Sequence, residues 1–164
     1  MSPNDNLSIN YPKSVAIIGG GRWSRVLIET ICEISPRNIK IFIFSVKNEI
    51  NMKVWVKEKK FRQNVKIFKN FKNFTDFNLE ALIVANASSN HKFAIQKGLN
   101  ARIPVLVEKP ITLSYSDTLE MIQLAKEKNT FFGSAHVFLF SSYLKKFSTY
   151  ISHLEAIKSI DIEW

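Results

Sequence analysis

The sequence predicts an α/β fold, a parallel sheet covered by helices on both faces. Two observations carry this. Short, nearly all-apolar runs alternate along the chain with stretches of helical period, and strands buried on both faces read as such unbroken runs. A glycine cluster, Gly19-Gly20-Gly21, stands between the first apolar run and the first helical stretch, where a strand must turn sharply into a helix.

Taken in order, Lys13 to Ile18 is the first strand. From Arg22 the period changes: Trp23, Val26, Leu27, Thr30, Ile31 and Ile34 follow the spacing of one helix face. Ser35-Pro36 stops that helix. Ile39 to Phe44 is the second strand, and Asn48 to Arg62 a helix with Ile50, Val54 and Phe61 on one side. Val65 to Phe68 is the third strand, and Phe71 to Phe77 a loop or short helix. Ala81 to Ala87 is the fourth strand. Asn90 caps a helix running to about Leu99, with Gly98 near its end. After the strand Pro104 to Lys109, Ser114 and Asp117 have capping-box spacing, with Asp in place of Glu or Gln. The helix they open carries Leu119, Ile122 and Ala125. Thr130 to Val137 is the sixth strand. Ser141 or Ser142 caps a helix with the face Leu144, Phe147, Ile151, Leu154 and Ile157, and Ile160 to Trp164 alternates like a further strand. Strand–helix alternation of this kind means a parallel sheet with helices on both faces.

Bulk properties narrow the function. At 164 residues the chain is one domain of ordinary size, and 46% hydrophobic with 23% charged residues fits a soluble globular protein. Its apolar runs are far too short to span a bilayer, so no membrane partner is expected. Residues 1–12 are polar, carry Pro3 and Pro12 and lack the pattern of a secretory signal; they read as a flexible leader on a cytoplasmic protein. Cys32 is the only cysteine, which leaves no internal disulfide and no cysteine metal cluster; it reads as a buried small apolar residue. The net charge of +9 raises nucleic acid as a partner, and Lys53, Lys57, Lys59, Lys60, Arg62, Lys66, Lys69 and Lys72 face only Glu58. No recognised reader motif accompanies that charge, so it reads as a solvated face and no nucleic-acid partner is expected.

The glycine turn carries the chemistry. Gly19 and Gly21 take the first two glycine positions of a dinucleotide fingerprint, one for the tight turn and one for backbone approach to phosphates. Ser24 takes the third, where a small residue keeps helix and strand close. Arg22, Trp23 and Ser24 form the first helical turn, whose N–H groups and dipole would face a pyrophosphate. A structural glycine turn, or the similar turn of a methyltransferase, would look the same at this point. About twenty residues on, where the adenosine ribose is read, stands Phe44-Ser45-Val46-Lys47 without a carboxylate. Ser45 can donate a hydrogen bond and Lys47 can pair with a 2′-phosphate, so NADP is favoured over NAD; the alternative is that both are ordinary loop residues.

Four segments then occur in the order and at the spacings of a known family: Val15 to Arg25, Ala85-Asn86-Ala87-Ser88-Ser89-Asn90-His91, Val107-Glu108-Lys109-Pro110, and Gly133-Ser134-Ala135-His136-Val137-Phe138-Leu139-Phe140. In them the chain resembles the nucleotide-binding half of the glucose–fructose oxidoreductase, inositol dehydrogenase and rhizopine-catabolism (Gfo/Idh/MocA) family, over essentially Lys13 to Trp164. The Glu-Lys-Pro element is the most specific part. The resemblance implies a Rossmann-type doubly wound parallel sheet over residues 13–140. It also implies a linker helix and the first strand of a truncated α+β domain over 141–164. It places Lys109, taken alone a surface lysine before a turn proline, beside the nicotinamide and the reacting carbon as the catalytic lysine. There it would hydrogen-bond a substrate oxygen and stabilise developing negative charge, with Glu108 and Pro110 fixing its loop. Ala87 and Ser88 would run past the ribose, while Asn90 and His91 open the next helix; His91 alone reads as a polar helix-start residue. His136 would lie at the domain junction, and His153 on a helix surface.

The implied activity is hydride transfer between a nicotinamide cofactor and a hydroxyl or carbonyl on a sugar, sugar nucleotide or cyclitol. The family's second domain supplies most of the substrate pocket and the acid–base histidine. A non-catalytic dinucleotide-binding module, or an inactive truncated remnant, is therefore the alternative for this chain alone. An uncovered helix face from Leu144 and an open strand edge predict self-association or a homo-oligomer.

Overall fold

The computed structural model describes residues 10–71, 74–153, 156, 158, 159 and 161. Six parallel strands form one sheet: β1 (Ser14–Ile18), β2 (Lys40–Phe44), β3 (Asn64–Phe68), β4 (Ala81–Val84), β5 (Val105–Val107) and β6 (Phe132–Ser134). Their spatial order is β3-β2-β1-β4-β5-β6. The chain runs outward from β1 to β3, then returns to place β4 on the other side of β1, with Ile18 level with both Phe44 and Val84. The loops after β1 and β4 leave to opposite faces, which makes the carboxyl edge between them the topological switch point of the sheet.

Each face has its own core. One side of the sheet, with Ala16, Ile18, Phe42, Phe44, Leu82 and Val107, packs on Ala94, Ile95 and Leu99 of α3 (His91–Asn100) and on Met121 and Ala125 of α4 (Tyr115–Lys128). The other, with Val15, Ile17, Ile41 and Ile43, packs on Ile28 of α1 (Arg22–Ile34) and on Met52 and Trp55 of α2 (Glu49–Lys59). Alternate residues of β1 and β2 thus point to opposite cores, which is why these strands read as unbroken apolar runs. Phe42, Phe44, Phe68 and Phe77 form an aromatic cluster with ring centroids 4.8–6.3 Å apart. It occupies the stretch that periodicity left undivided, where the chain makes a 3-10 turn at Phe74–Phe77.

The helices bury different lines from those the period suggests. On α1 the buried residues are Ser24 and Ile28, backed by Ile31 and Cys32, while Trp23 and Val26 are exposed. Ser24 comes nearest the sheet because only a small side chain fits against the glycine turn, and that contact sets the helix's rotation. On α2 the buried pair is Met52 and Trp55, with Ile50 and Val54 exposed. Its apolar residues surround the helix, so the bulkier pair wins the sheet, and Trp55 packs edge-on against Phe61 with the Arg25 guanidinium over its ring. On α4 Met121 and Ala125 are buried, and Leu119 and Ile122 are exposed. Burial pushes the Cys32 thiol up to about 11.

Strands β4, β5 and β6 end two or three residues before the sequence predicts, because the residues that follow leave the sheet for edge loops. Asn90 and Ser141 occupy N-cap positions without capping through their side chains. Ser114 does cap: its Oγ accepts the Asp117 N–H at 3.0 Å. Ser114→Ala is expected to cost about 1 kcal/mol in a denaturant melt, with no change in ligand binding.

The described residues up to Ser134 form one compact unit and those from Ala135 onward another. The second holds a 3-10 turn at Val137–Phe140 and α5 (Ser142–Ile151), with Tyr143, Phe147 and Tyr150 exposed. Residues 1–9 of the leader, Leu154, Ile157 and most of the strand expected at Ile160–Trp164 lie outside the described residues. Among the described residues no helix is long and apolar enough to cross a membrane.

Candidate dinucleotide site

The glycine turn is built against the sheet. Gly19 donates its N–H to the Phe44 carbonyl at 2.9 Å and has φ +139°, a conformation open to glycine alone. A Cβ there would lie 2.5 Å from the Ala85 carbonyl oxygen and 2.8 Å from Ser24 Oγ. Gly20 is constrained by contact alone: a Cβ would fall 2.0 Å from Ser45 Oγ. The sequence reading missed Gly20, because the fingerprint leaves that position free and only the neighbouring strand end demands a glycine. Gly21 differs from both. Among the described residues it has no neighbour within 4 Å of its Cβ position, so its bareness leaves open space at the start of α1.

That space faces an uncapped helix. Gly21 is the N-cap of α1, no side chain caps it, and no acidic residue stands in the first turn. The first N–H groups and the positive end of the dipole are therefore left for an anion. Arg22 and Trp23 are exposed beside it, while Ser24 is buried and its Oγ has no partner among the described residues.

The other predicted residues gather along the same carboxyl edge. After β2, Ser45 is buried, its Oγ accepting the Asn48 N–H at 3.2 Å beneath Gly20, whereas Lys47 is exposed. After β4, Ala87 and Ser88 enter a 3-10 turn at Ser88–Asn90, and the Asn86 carbonyl side-chain oxygen has no partner among the described residues. After β5 come Glu108, Lys109 and Pro110, with Lys109 and Pro110 exposed and a cis peptide bond between them. Trp23 Nε1 donates to Glu108 Oε1, which ties the glycine turn directly to the lysine loop. Ser134, at the end of β6, is a third residue with an unpartnered buried side-chain oxygen. Open space at Gly21, an uncapped helix end and unsatisfied polar atoms on one edge fit a long, polar, anionic ligand such as a dinucleotide.

His91 departs from the expectation of a cofactor contact. Its ring is fully buried at the start of α3, with Nδ1 2.9 Å from the Pro110 carbonyl and Nε2 3.1 Å from the Asn86 carbonyl. Nearby, Lys92 of α3 bridges Asp117 at 2.6 Å and Glu120 at 2.7 Å on α4. The hydrogen bond from Lys92 holds the Asp117 carboxyl below its usual range, and its two carboxylate partners raise the lysine.

Comparison with known proteins supplies the context. The Gfo/Idh/MocA model, described as an oxidoreductase family with an NAD-binding Rossmann fold, matches residues 13–136. Over 62 residues the chain is 39% identical to the 2,7-anhydro-N-acetylneuraminate hydratase of Mediterraneibacter gnavus, covering 38% of this chain and 17% of that protein. Among solved structures, myo-inositol 2-dehydrogenase of Lactobacillus plantarum superposes with a TM-score of 0.73 at 21% identity, covering 87% of this chain and 41% of that one. Scyllo-inositol dehydrogenase of Lactobacillus casei, solved with NAD(H) and scyllo-inositol, gives 0.73 at 19% identity, with the same coverage. The chain thus spans less than half the length of the relatives it matches.

Proposed function

The chain belongs to the Gfo/Idh/MocA oxidoreductase family through its NAD-binding Rossmann fold, and from that premise we propose that it forms the cofactor-holding half of a hydride-transferring enzyme acting on a polyhydroxylated, sugar-like or cyclitol substrate. The observation that carries this is the bare Gly21 position at the uncapped start of α1, set at the switch point of the sheet. The names of the relatives support the substrate class, since inositols and an anhydro sugar acid are all rich in hydroxyl groups.

When bound, the nicotinamide supplies the hydride. The chain's residues supply the rest. Gly19 and Gly20 press the turn against β4 and β2, so that Gly21, Arg22, Trp23 and Ser24 receive the pyrophosphate with backbone N–H groups. Ala87 and Ser88 line the ribose. Lys109 donates a hydrogen bond to the substrate oxygen and stabilises charge that develops there, while Glu108, held by Trp23, and Pro110 fix its loop.

The preferred cofactor is NADP. With Ser45 buried under Gly20, the preference rests on exposed Lys47 and on the lack of a carboxylate in residues 45–48. Titration with NADPH and NADH, followed by nicotinamide fluorescence, is expected to give saturable binding with NADPH about fivefold tighter, the size of one exposed ion pair. Lys47→Glu should reverse the order, and Lys109→Ala should leave both affinities within about twofold, since a lysine acting on substrate oxygen adds little to cofactor binding. Tighter NADH binding by the unaltered chain refutes the NADP preference, and failure of a folded chain to bind either refutes the reading as a whole.

A further inference from the structure

We propose that His91 is a positioning residue that sets Lys109 by bridging the loops after β4 and β5 beneath the cofactor site. This rests on the reading of the site given above. Its side chain is only 1% exposed, so it cannot meet a ligand itself. Instead Nδ1 lies 2.9 Å from the Pro110 carbonyl oxygen and 3.3 Å from that of Ile111, while Nε2 lies 3.1 Å from the Asn86 carbonyl oxygen. Carbonyl oxygens only accept, so a ring N–H is the donor in any bond formed here.

The two loops come from adjacent parallel strands, β4 and β5, whose last register pair is Val84 with Val107; the Glu108 N–H still bonds the Val84 carbonyl at 2.9 Å, and the chain leaves the sheet after it. One carries Ala87 and Ser88; the other carries Lys109. Lys109 itself is exposed and gains its placement through its neighbours. On one side Glu108 is held by the Trp23 indole from α1. On the other the Pro110 carbonyl is held by the His91 ring from α3. The lysine is therefore suspended between two tethers, one from each helix that opens at the switch point. A ring rooted at the first residue of α3 moves with the helix, so the lysine loop and the ribose loop keep a common frame.

The test separates the nicotinamide end of the ligand from the adenosine end. In this reading His91 acts on the loops after β4 and β5, and the loops after β1 and β2 are untouched. His91→Leu removes the ring nitrogens and any N–H they donate. His91→Asn places an amide N–H near the position of Nδ1 and keeps the Pro110 bond. Calorimetric titration of the whole chain with NADH and with ADP, which lacks the nicotinamide and its ribose, is the measurement. His91→Leu is expected to weaken NADH about tenfold, because the loops after β4 and β5 no longer frame the nicotinamide riboside as a unit, a loss larger than removal of the Lys109 side chain alone; ADP changes less than about twofold, and His91→Asn should recover most of the NADH loss. A thermal melt of each variant reports folding separately.

Equal weakening of both ligands in His91→Leu, or no weakening of either, overturns the positioning role. So does a variant in which Asn is as poor as Leu. An unaltered chain that binds none of NADPH, NADH and ADP overturns the proposed function instead. ADP binding without any gain from the nicotinamide riboside leaves the nucleotide site standing and removes the role of His91.

Discussion

Gly21→Asp is expected to leave the chain slightly more stable and unable to bind its cofactor. Gly21 has φ −84° and ψ −175°, an extended conformation that any residue adopts, and its Cβ position is open. It is also an N-cap, where aspartate is among the preferred residues and can accept a first-turn N–H. The helix therefore gains about 0.5 kcal/mol from the cap and the dipole. The same carboxylate fills the space proposed for the pyrophosphate and repels it. Two like charges about 4 Å apart near a protein surface interact by roughly 4 kcal/mol, so NADPH and NADH affinities should fall by about 100-fold or more. A melt and a fluorescence titration on one preparation check both halves. Retained binding would mean that the pyrophosphate does not lie over Gly21.

Gly19→Ala is expected to fail differently, through the fold. At φ +139° an alanine is strained, at roughly 1–3 kcal/mol. Its methyl would also overlap the Ala85 carbonyl, 2.5 Å away, and neither β4 nor the turn is a flexible side chain that can move aside. The combined loss is about 3 kcal/mol or more, which lowers the melting temperature by roughly 10 °C in a domain of this size. Binding falls with it, because the turn cannot close on β4 with Ser24 against it. Denaturant melts of Gly19→Ala and Gly21→Asp side by side should move in opposite directions. An unchanged melt for Gly19→Ala would rule out the tight contact between this turn and β4.

The two glycines look alike in the sequence, and both stand in the turn between β1 and α1. Their separation into a packing glycine and an open one needed the structure, because it depends on Ala85, sixty-odd residues away in the chain. Gly20 is a plainer case. Its requirement comes from Ser45 at the end of β2, and no local pattern marks it. The same distance effect explains Ser45. In the sequence it is a polar residue at the end of a strand, suited to a ribose phosphate; in the fold it is buried, holding the Asn48 N–H under the glycine turn. His91 likewise carried a helix-start signal, and His91 does open α3, but its bonds run to carbonyls at Asn86 and at Pro110, the second nineteen residues on.

Strand and helix identity was legible because burial on both faces leaves a local mark. Parallel strands become apolar runs, and helices acquire a period. Which side of a helix turns inward was less legible. On α1 and α4 several apolar residues lie on more than one side, and on α2 Ile50 and Val54 compete with Met52 and Trp55. The choice falls to whichever set fits the sheet, and on α1 the small Ser24 decides it. By itself, then, the sequence determined the alternation, the parallel sheet, the dinucleotide turn and the Glu-Lys-Pro loop, since each is written in neighbouring residues. Only the tertiary structure decided which glycine is packed and which is open, that Ser45 is buried, and that Trp23 and His91 hold the lysine loop from either side. Those features are contacts between segments brought together at one sheet edge, and local sequence carries no record of such a meeting.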